Sequence, residues 1–436
     1  MSNGIEIAGG APTSVVTGKR RLRITLLTLG SRGDVEPYLG LGAALARAGH
    51  QVTVAAPAAF EGLVRRAGLV PFLVEPDPRL LAVQGEPPRW LRSSTAAGAI
   101  RLRLAARAGS GLGVTYSGYL DASRRADVIL YPAWLAPIAR TIAQNFGCLA
   151  VASYLAPIHP TRDFPSPFLH FSPYPGWNYM SHSLALWVGR AALNGAPNTW
   201  RSQVAGMAPA AIDLLPPDGE VCLYGFCRSL LPPPPDWPPG VVVTGPWWLD
   251  THHDWRPPEE LDRFLQAPGS VVFLGFGSMM DSRPAQLNAV VEGALTRLGC
   301  RAVLLVGPAG QLDLPVSPRW LAVRDIPFDW LFRRVDAIIH HGGAGTTAQS
   351  ARAGKPSVTV PFFADQFFWG QRIHRAGGGP RPIPRRALTS ERLVSAIDEA
   401  LHDPRISERA ALLGTRVRSE TGLSTAVNLI EASCLG

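Results

Sequence analysis

Short apolar runs alternate with stretches of helical spacing along most of this chain, the pattern of strands buried between layers of helices. Leu22 to Leu29 reads as a strand, Pro37 to Ala48 as a helix stopped by Gly49, and Gln51 to Ala56 as a second strand, together a βαβ unit. The series continues with a helix from Ala58 to Ala67, strands at Val70 to Val74 and Asp127 to Tyr131, a helix from Leu135 to Phe146 and a strand from Cys148 to Tyr154. Periodicity then lapses from Ala156 to Asn178, where proline and aromatic residues crowd a long irregular segment of the kind that is often functional. A helical stretch from Tyr179 to Leu214 and strands at Val221 to Phe226 and Val241 to Thr244 complete this half.

A second α/β series opens at Ser270 to Phe276 and runs through Ala302 to Val306, Leu321 to Val323, Ala337 to Ile339 and Val358 to Val360. Helical patterns at Ser390 to Leu401 and Ser407 to Cys434 close the chain. The expected organisation is a tail over residues 1–20, a Rossmann-like domain over 21–245, a linker over 246–258, a second Rossmann-like domain over 259–420, and a last helix over 421–436 that could pack back on the first domain. At 436 residues each domain can bury its own core.

Chemistry concentrates between Val335 and Gln366. The strand Ala337 to Ile339 is followed by His340-His341-Gly342-Gly343-Ala344-Gly345-Thr346-Thr347 and a helical pattern to Arg352. Glycines let backbone N–H groups approach an anion, and a helix N-terminus favours one, so the motif predicts a diphosphate cradle with His341 as a further donor. Glycine turns also serve merely to pack a helix on a strand, and the motif alone leaves both readings open. The next strand delivers Asp365 and Gln366 to the same sheet edge, where they could read sugar hydroxyls. Gly277 and Ser278, after the first strand of the second series, could donate to a phosphate or form a plain tight turn. His340 and His341 leave a strand end in opposite directions, which speaks against joint metal ligation and for one contact and one packing role.

In the amino-terminal half, Gly30-Ser31-Arg32-Gly33-Asp34 follows the first strand and sets a carboxylate at the sheet edge. Asp34 could be a general base or a helix cap. His159, Phe164, Phe168 and Trp177, with His170, Phe171 and Tyr174, could line an apolar acceptor wall or simply pack the irregular segment. Arg89 to Arg107, with Trp90, could touch a membrane surface weakly or form an ordinary amphipathic helix.

Composition narrows the class. Hydrophobic residues make up 46% and charged residues 17%, which excludes a disordered chain. The net charge of +9 is carried mostly by arginines interspersed with acids, without a nucleic-acid-binding motif, so no nucleic-acid partner is expected. Five cysteines without CxxC pairs fit a reduced cytoplasm, and no apolar run is long enough to span a membrane.

Together GSRGDVEP at Gly30 to Pro37, GFGSM at Gly275 to Met279, DIPFDWLF at Asp325 to Phe332, HHGGAGTT at His340 to Thr347 and the run from Pro361 to Pro384 resemble the inverting family-one glycosyltransferases, closest to sterol 3-beta-glucosyltransferases and their bacterial natural-product relatives. The resemblance implies the α/β GT-B fold, two facing Rossmann-like domains with a deep cleft between them. It implies Asp34 as the base and Ser278, His341, Gly343, Gly345 and Thr346 at the diphosphate, with Asp365 and Gln366 on the sugar. The segment carrying Ile326 and Phe328 would cup the nucleotide base, and Gln349 would reach the ribose. The implied reaction moves a hexose from a UDP- or dTDP-sugar co-substrate to a hydrophobic acceptor, with neither cofactor nor metal. A sugar-nucleotide 2-epimerase and a non-catalytic sugar-nucleotide-binding partner subunit are the rival readings, and the oligomeric state is not legible.

Overall fold

A computed structural model describes residues 20–75, 110–169, 175–203, 206–250, 255–277, 279, 281, 283–306 and 312–434. The amino-terminal tail, Arg89 to Arg107, His170, Phe171, Tyr174 and Ser278 lie outside them. Seven strands, β1 (Arg23–Leu27), β2 (Gln51–Pro57), β3 (Val70–Val74), β4 (Val128–Tyr131), β5 (Leu149–Tyr154), β6 (Cys222–Tyr224) and β7 (Val241–Val243), form one sheet in the order β3-β2-β1-β4-β5-β6-β7. Five more, β8 (Val271–Gly275), β9 (Arg301–Leu305), β10 (Trp320–Val323), β11 (Ala337–His340) and β12 (Ser357–Thr359), form a second in the order β10-β9-β8-β11-β12. Every pairing is parallel. The uninterrupted apolar strands require this, because β4, β8 and β11 are buried at every position and need helices on both faces.

In both sheets the strand order reverses beside the first strand, between β1 and β4 and between β8 and β11. Chain leaving neighbouring strands at such a point diverges to opposite faces and opens a crevice, which is where open α/β sheets bind ligands. The turn after β1 carries Asp34, and the turns after β8 and β11 carry Gly277 and His341.

Several helices differ from the pattern read in the sequence. The first begins at Arg32, not at Pro37, and carries Pro37 inside it. Tyr179 to Leu214 is two helices, Asn178–Leu193 and Gly195–Gln203, and Ser407 to Cys434 is also two, Pro404–Arg418 and Gly422–Ser433. Gly195 and Pro197 explain the first break, since glycine is the weaker helix former and proline removes a donor.

The last helix crosses to the amino-terminal sheet, where Ala426, Val427 and Ile430 join the cluster holding Val35, Leu39 and Leu45 of the first helix. At the crossing, Glu420 accepts the N–H groups of Arg228 and Ser229 on separate carboxylate oxygens, both at 2.9 Å. Trp369, from the carboxyl-terminal domain, is buried in the cluster of Tyr131, Tyr154 and Phe226 from the other. Glu420→Ala removes both charge-assisted bonds and is expected to cost about 2 kcal/mol, with Glu420→Gln costing roughly half. Thermal denaturation followed by circular dichroism checks the order: wild type above Gln above Ala.

Candidate functional site

The early start of the helix Arg32–Arg47 puts Asp34 in its first turn rather than in a loose loop. Asp34 Oδ2 accepts the Ser31 N–H at 2.7 Å and the Ser31 hydroxyl at 2.8 Å. The carboxylate thus completes a capping box with the N-cap Ser31, and it stands exposed at the switch point of the sheet.

Across from it, β11 ends in a buried His340 whose Nδ1 accepts the Gly342 N–H at 3.1 Å. That bond fixes His340 as the Nε2–H tautomer and leaves His341 to face the turn. The His341 ring lies between two glycines: a Cβ on Gly277 would approach its Cε1 to 3.0 Å, and one on Gly343 would approach its Nε2 to 2.4 Å. No other residue fits either position without moving the ring. Burial lowers the His341 pKa to about 4, so the ring is neutral at physiological pH, and its buried Nδ1 has no partner among the described residues.

Gly343 caps the helix Ala344–Ala353, whose first turn includes Gly345 and Thr346. The N–H groups of such a turn have no intrahelical acceptor. A Cβ on Gly345 would lie 3.8 Å from the Gly33 Cα, so the N-termini of the two helices abut across the domains. Beside them Arg32 joins Glu36 at 2.7 Å to Asp325 of the other domain at 2.8 Å.

Asp365 opens the helix Gln366–Arg375, directly after Ala364, whose φ of 53° is the sole positive value outside glycine among the described residues. Such strain is kept where surrounding structure imposes a geometry. Asp365 Oδ2 accepts the Trp369 Nε1–H at 3.0 Å. Burial, reinforced by the charge of Asp34, raises the Asp365 pKa to about 6, the Trp369 bond opposing. The two carboxylates thus feel one another across the cleft.

The remaining candidates divide. The Gln366 Oε1 accepts the N–H groups of Phe362 and Phe363 at 2.8 and 3.2 Å, and its Nε2 donates to the Met279 sulfur, so here its amide shapes the turn around Asp365. Ile326 packs in the core with Phe273 and Phe332. Phe328 stacks on Phe332 with centroids 4.6 Å apart and is partly exposed. Gln349 is half-buried with its Oε1 unpartnered among the described residues.

Of the residues expected to form an acceptor wall, the structure corrects His159: it is a core histidine, buried with Nδ1 2.7 Å from the Tyr224 hydroxyl. Phe164 is buried too, and it packs across the domains on Phe368 at 5.2 Å under the Arg372 guanidinium. Phe168 meets the exposed Trp134 edge-on at 5.6 Å, and Trp177 is exposed. Sequence reading missed Ser31, Arg32 and Trp369. The i, i+4 spacing of Asp365 and Trp369 was the available signal for the last; nothing local announces a partner in another domain for Arg32.

Two all-parallel α/β sheets meeting at their switch points constitute the GT-B architecture of the glycosyltransferases. Residues 24–80 match the glycosyltransferase family 28 N-terminal domain, and residues 309–427 match the erythromycin biosynthesis protein CIII-like C-terminal domain. A sterol 3-beta-glucosyltransferase of Emericella nidulans is 33% identical over 432 residues, covering 94% of this chain and 30% of that protein. The chain thus spans about 30% of the length of the curated relatives it matches. Among solved structures, the glycotransferase of kitacinnamycin superposes with a TM-score of 0.69 at 22% identity, over 95% of this chain and 99% of that one. The Streptomyces sp. SF2575 glycosyltransferase SsfS6, complexed with thymidine diphosphate, gives a TM-score of 0.61 at 19% identity over 94% and 100% of the two chains. By its fold the chain is similar to the GT-B glycosyltransferases, and one domain match falls in each of its two α/β units.

The raised pKa of Asp365 has a consequence for stability. The folded state binds its proton more tightly than the unfolded chain, so a destabilising contribution accrues between about pH 4 and about pH 6 and is full above that. Asp365→Asn keeps an acceptor for Trp369 and removes this contribution. The variant is expected to melt above wild type at pH 7, with the gap closing as pH falls below about 4; a gap independent of pH contradicts the assignment.

Proposed function

We propose that the chain is an inverting glycosyltransferase that moves a hexose, glucose in the first instance, from a UDP- or dTDP-sugar to a hydroxyl of a hydrophobic small molecule. The observation that carries this reading is the placement of Asp34 opposite the N-terminus of the helix Ala344–Ala353, where two helix ends abut. The relatives' designation as sterol 3-beta-glucosyltransferases favours glucose and a sterol-like acceptor, while the fold is shared with natural-product glycosyltransferases.

In the proposed reaction the acceptor oxygen attacks the anomeric carbon as Asp34 takes its proton, and the carbon–oxygen bond to the diphosphate breaks with its electron pair going to the phosphate. The first-turn N–H groups of the helix Ala344–Ala353 and the neutral His341 N–H donate to the oxygen that gains charge. His341 acts there as a hydrogen-bond donor, because its low pKa denies it a positive charge. Asp365 and Gln366 hold sugar hydroxyls, Gly277, Ser278, Gly343, Gly345 and Thr346 border the phosphates, and Ile326, Phe328 and Gln349 serve the nucleoside. The helix end supplies the positive potential, so no metal is required. Trp177 and Phe168 line the acceptor side, with Phe164 behind them at the domain contact.

Acceptor-dependent release of nucleoside diphosphate from UDP-glucose and dTDP-glucose, over a panel of sterols, hopanoids and polyketides, tests the reading. The expected result is a product heavier by one hexose, insensitivity to EDTA, and a loss of about 10²- to 10⁴-fold in Asp34→Asn. Epimerised donor without acceptor would point to the epimerase reading. Silence with every acceptor and donor would leave the partner-subunit reading, and full activity in Asp34→Asn would remove Asp34 as the base.

A further inference from the structure

The two residues proposed to hold sugar hydroxyls are oriented from different domains. Gln366 is fixed within the carboxyl-terminal domain, by the Phe362 and Phe363 N–H groups and the Met279 sulfur. Asp365 is fixed by Trp369, one turn further along the helix Gln366–Arg375, which donates its indole N–H to Oδ2 and its backbone N–H to the Asp365 carbonyl, both at 3.0 Å. The Trp369 ring is 2% exposed and lies in the aromatic cluster of the amino-terminal domain, 5.5 Å from the Phe226 centroid. Phe368 and Arg372 of the same helix also reach that domain, through Phe164. The side chain that aims Asp365 is thus seated in the other half of the molecule.

A buried indole N–H needs an acceptor, and the Asp365 carboxylate serves. Holding Oδ2 stops rotation about the Cβ–Cγ bond and so sets the direction of Oδ1. The same bond favours the ionised acid, whereas burial and the charge of Asp34 favour the protonated one. Asp34, on the helix Arg32–Arg47, is the acid that acts on Asp365 across the cleft; His340 and His341, at the end of β11, are neutral above about pH 4, and Arg372 and Arg375 lie further along its own helix. Trp369 therefore decides two properties of a carboxylate that accepts sugar hydroxyls: its orientation, and the pH down to which it stays ionised.

We propose that Trp369 is a positioning residue for the donor sugar, which lets Asp365 read sugar hydroxyls only while the two domains are docked. The proposal rests on the donor reading given for this site. Its test needs no acceptor: calorimetric binding of UDP-glucose against UDP, and of dTDP-glucose against dTDP, between about pH 5 and about pH 8. In wild type the sugar nucleotide is expected to bind more tightly than its diphosphate, with the difference fading below about pH 6. Trp369→Phe keeps a ring in the cluster and removes the N–H. It is expected to lower sugar-nucleotide affinity about tenfold at neutral pH, to move the fading to higher pH, and to leave diphosphate affinity as in wild type. Phe226→Ala, in the other domain, loosens the seat of the ring and is expected to shift the profile in the same direction by less. Phe226→Leu replaces either variant if circular dichroism shows that it fails to fold. Wild-type profiles in both variants overturn the proposal and leave the donor reading standing. Diphosphate affinity falling in step with sugar-nucleotide affinity overturns it too, because Trp369 then serves the fold alone, and a shift confined to Trp369→Phe overturns the link to domain docking. Failure of wild type to bind any of the four ligands, or to prefer a sugar nucleotide over its diphosphate, overturns the donor reading and the proposal with it.

Discussion

Two helix N-termini from different domains meet at Gly33 and Gly345, and this approach organises the rest of the molecule. Each end carries partial positive charge, so their juxtaposition is unfavourable unless anions stand between or beside them. Asp34 and Asp365 supply part of that charge, one capping its own helix and one opening the third helix at the site. A phosphate group would supply more.

The carboxylates in turn repel, and the structure distributes that repulsion unequally. Asp34 is exposed and held by two donors from Ser31, while Asp365 is more enclosed, has Trp369 as a donor, and takes the raised pKa. For His341 burial acts in the opposite direction: enclosure between glycines lowers its pKa and keeps the ring neutral.

Holding this geometry requires the domains to be joined by more than a hinge. Trp369 enters the aromatic cluster of the amino-terminal domain, Phe164 packs on Phe368, and Glu420 ties the returning chain to Arg228 and Ser229. Arg32 with Asp325 adds an exposed ion pair at the rim, worth little in stability but able to set the approach of the two turns.

Much of this was legible in one dimension. Buried parallel strands announce themselves as apolar runs, so β1, β2, β4, β5, β8, β9 and β11 stand where periodicity puts them, and the glycine turn after β11 identifies itself by composition. Local chemistry misleads where a distant contact decides. Pro37 reads as a helix start, yet the capping of Asp34 on Ser31 begins the helix at Arg32. His159 reads equally as part of an acceptor wall or as packing, and Tyr224 and Trp237, far along the chain, enclose it and decide for packing. Strand positions, turn glycines and residue types follow from the sequence because they depend on neighbours a few residues away. The meeting of the helix ends, the proton affinities of Asp365 and His341, and which face of a helix is covered were settled by tertiary structure alone, because each depends on burial and on groups brought together from separate domains or strands.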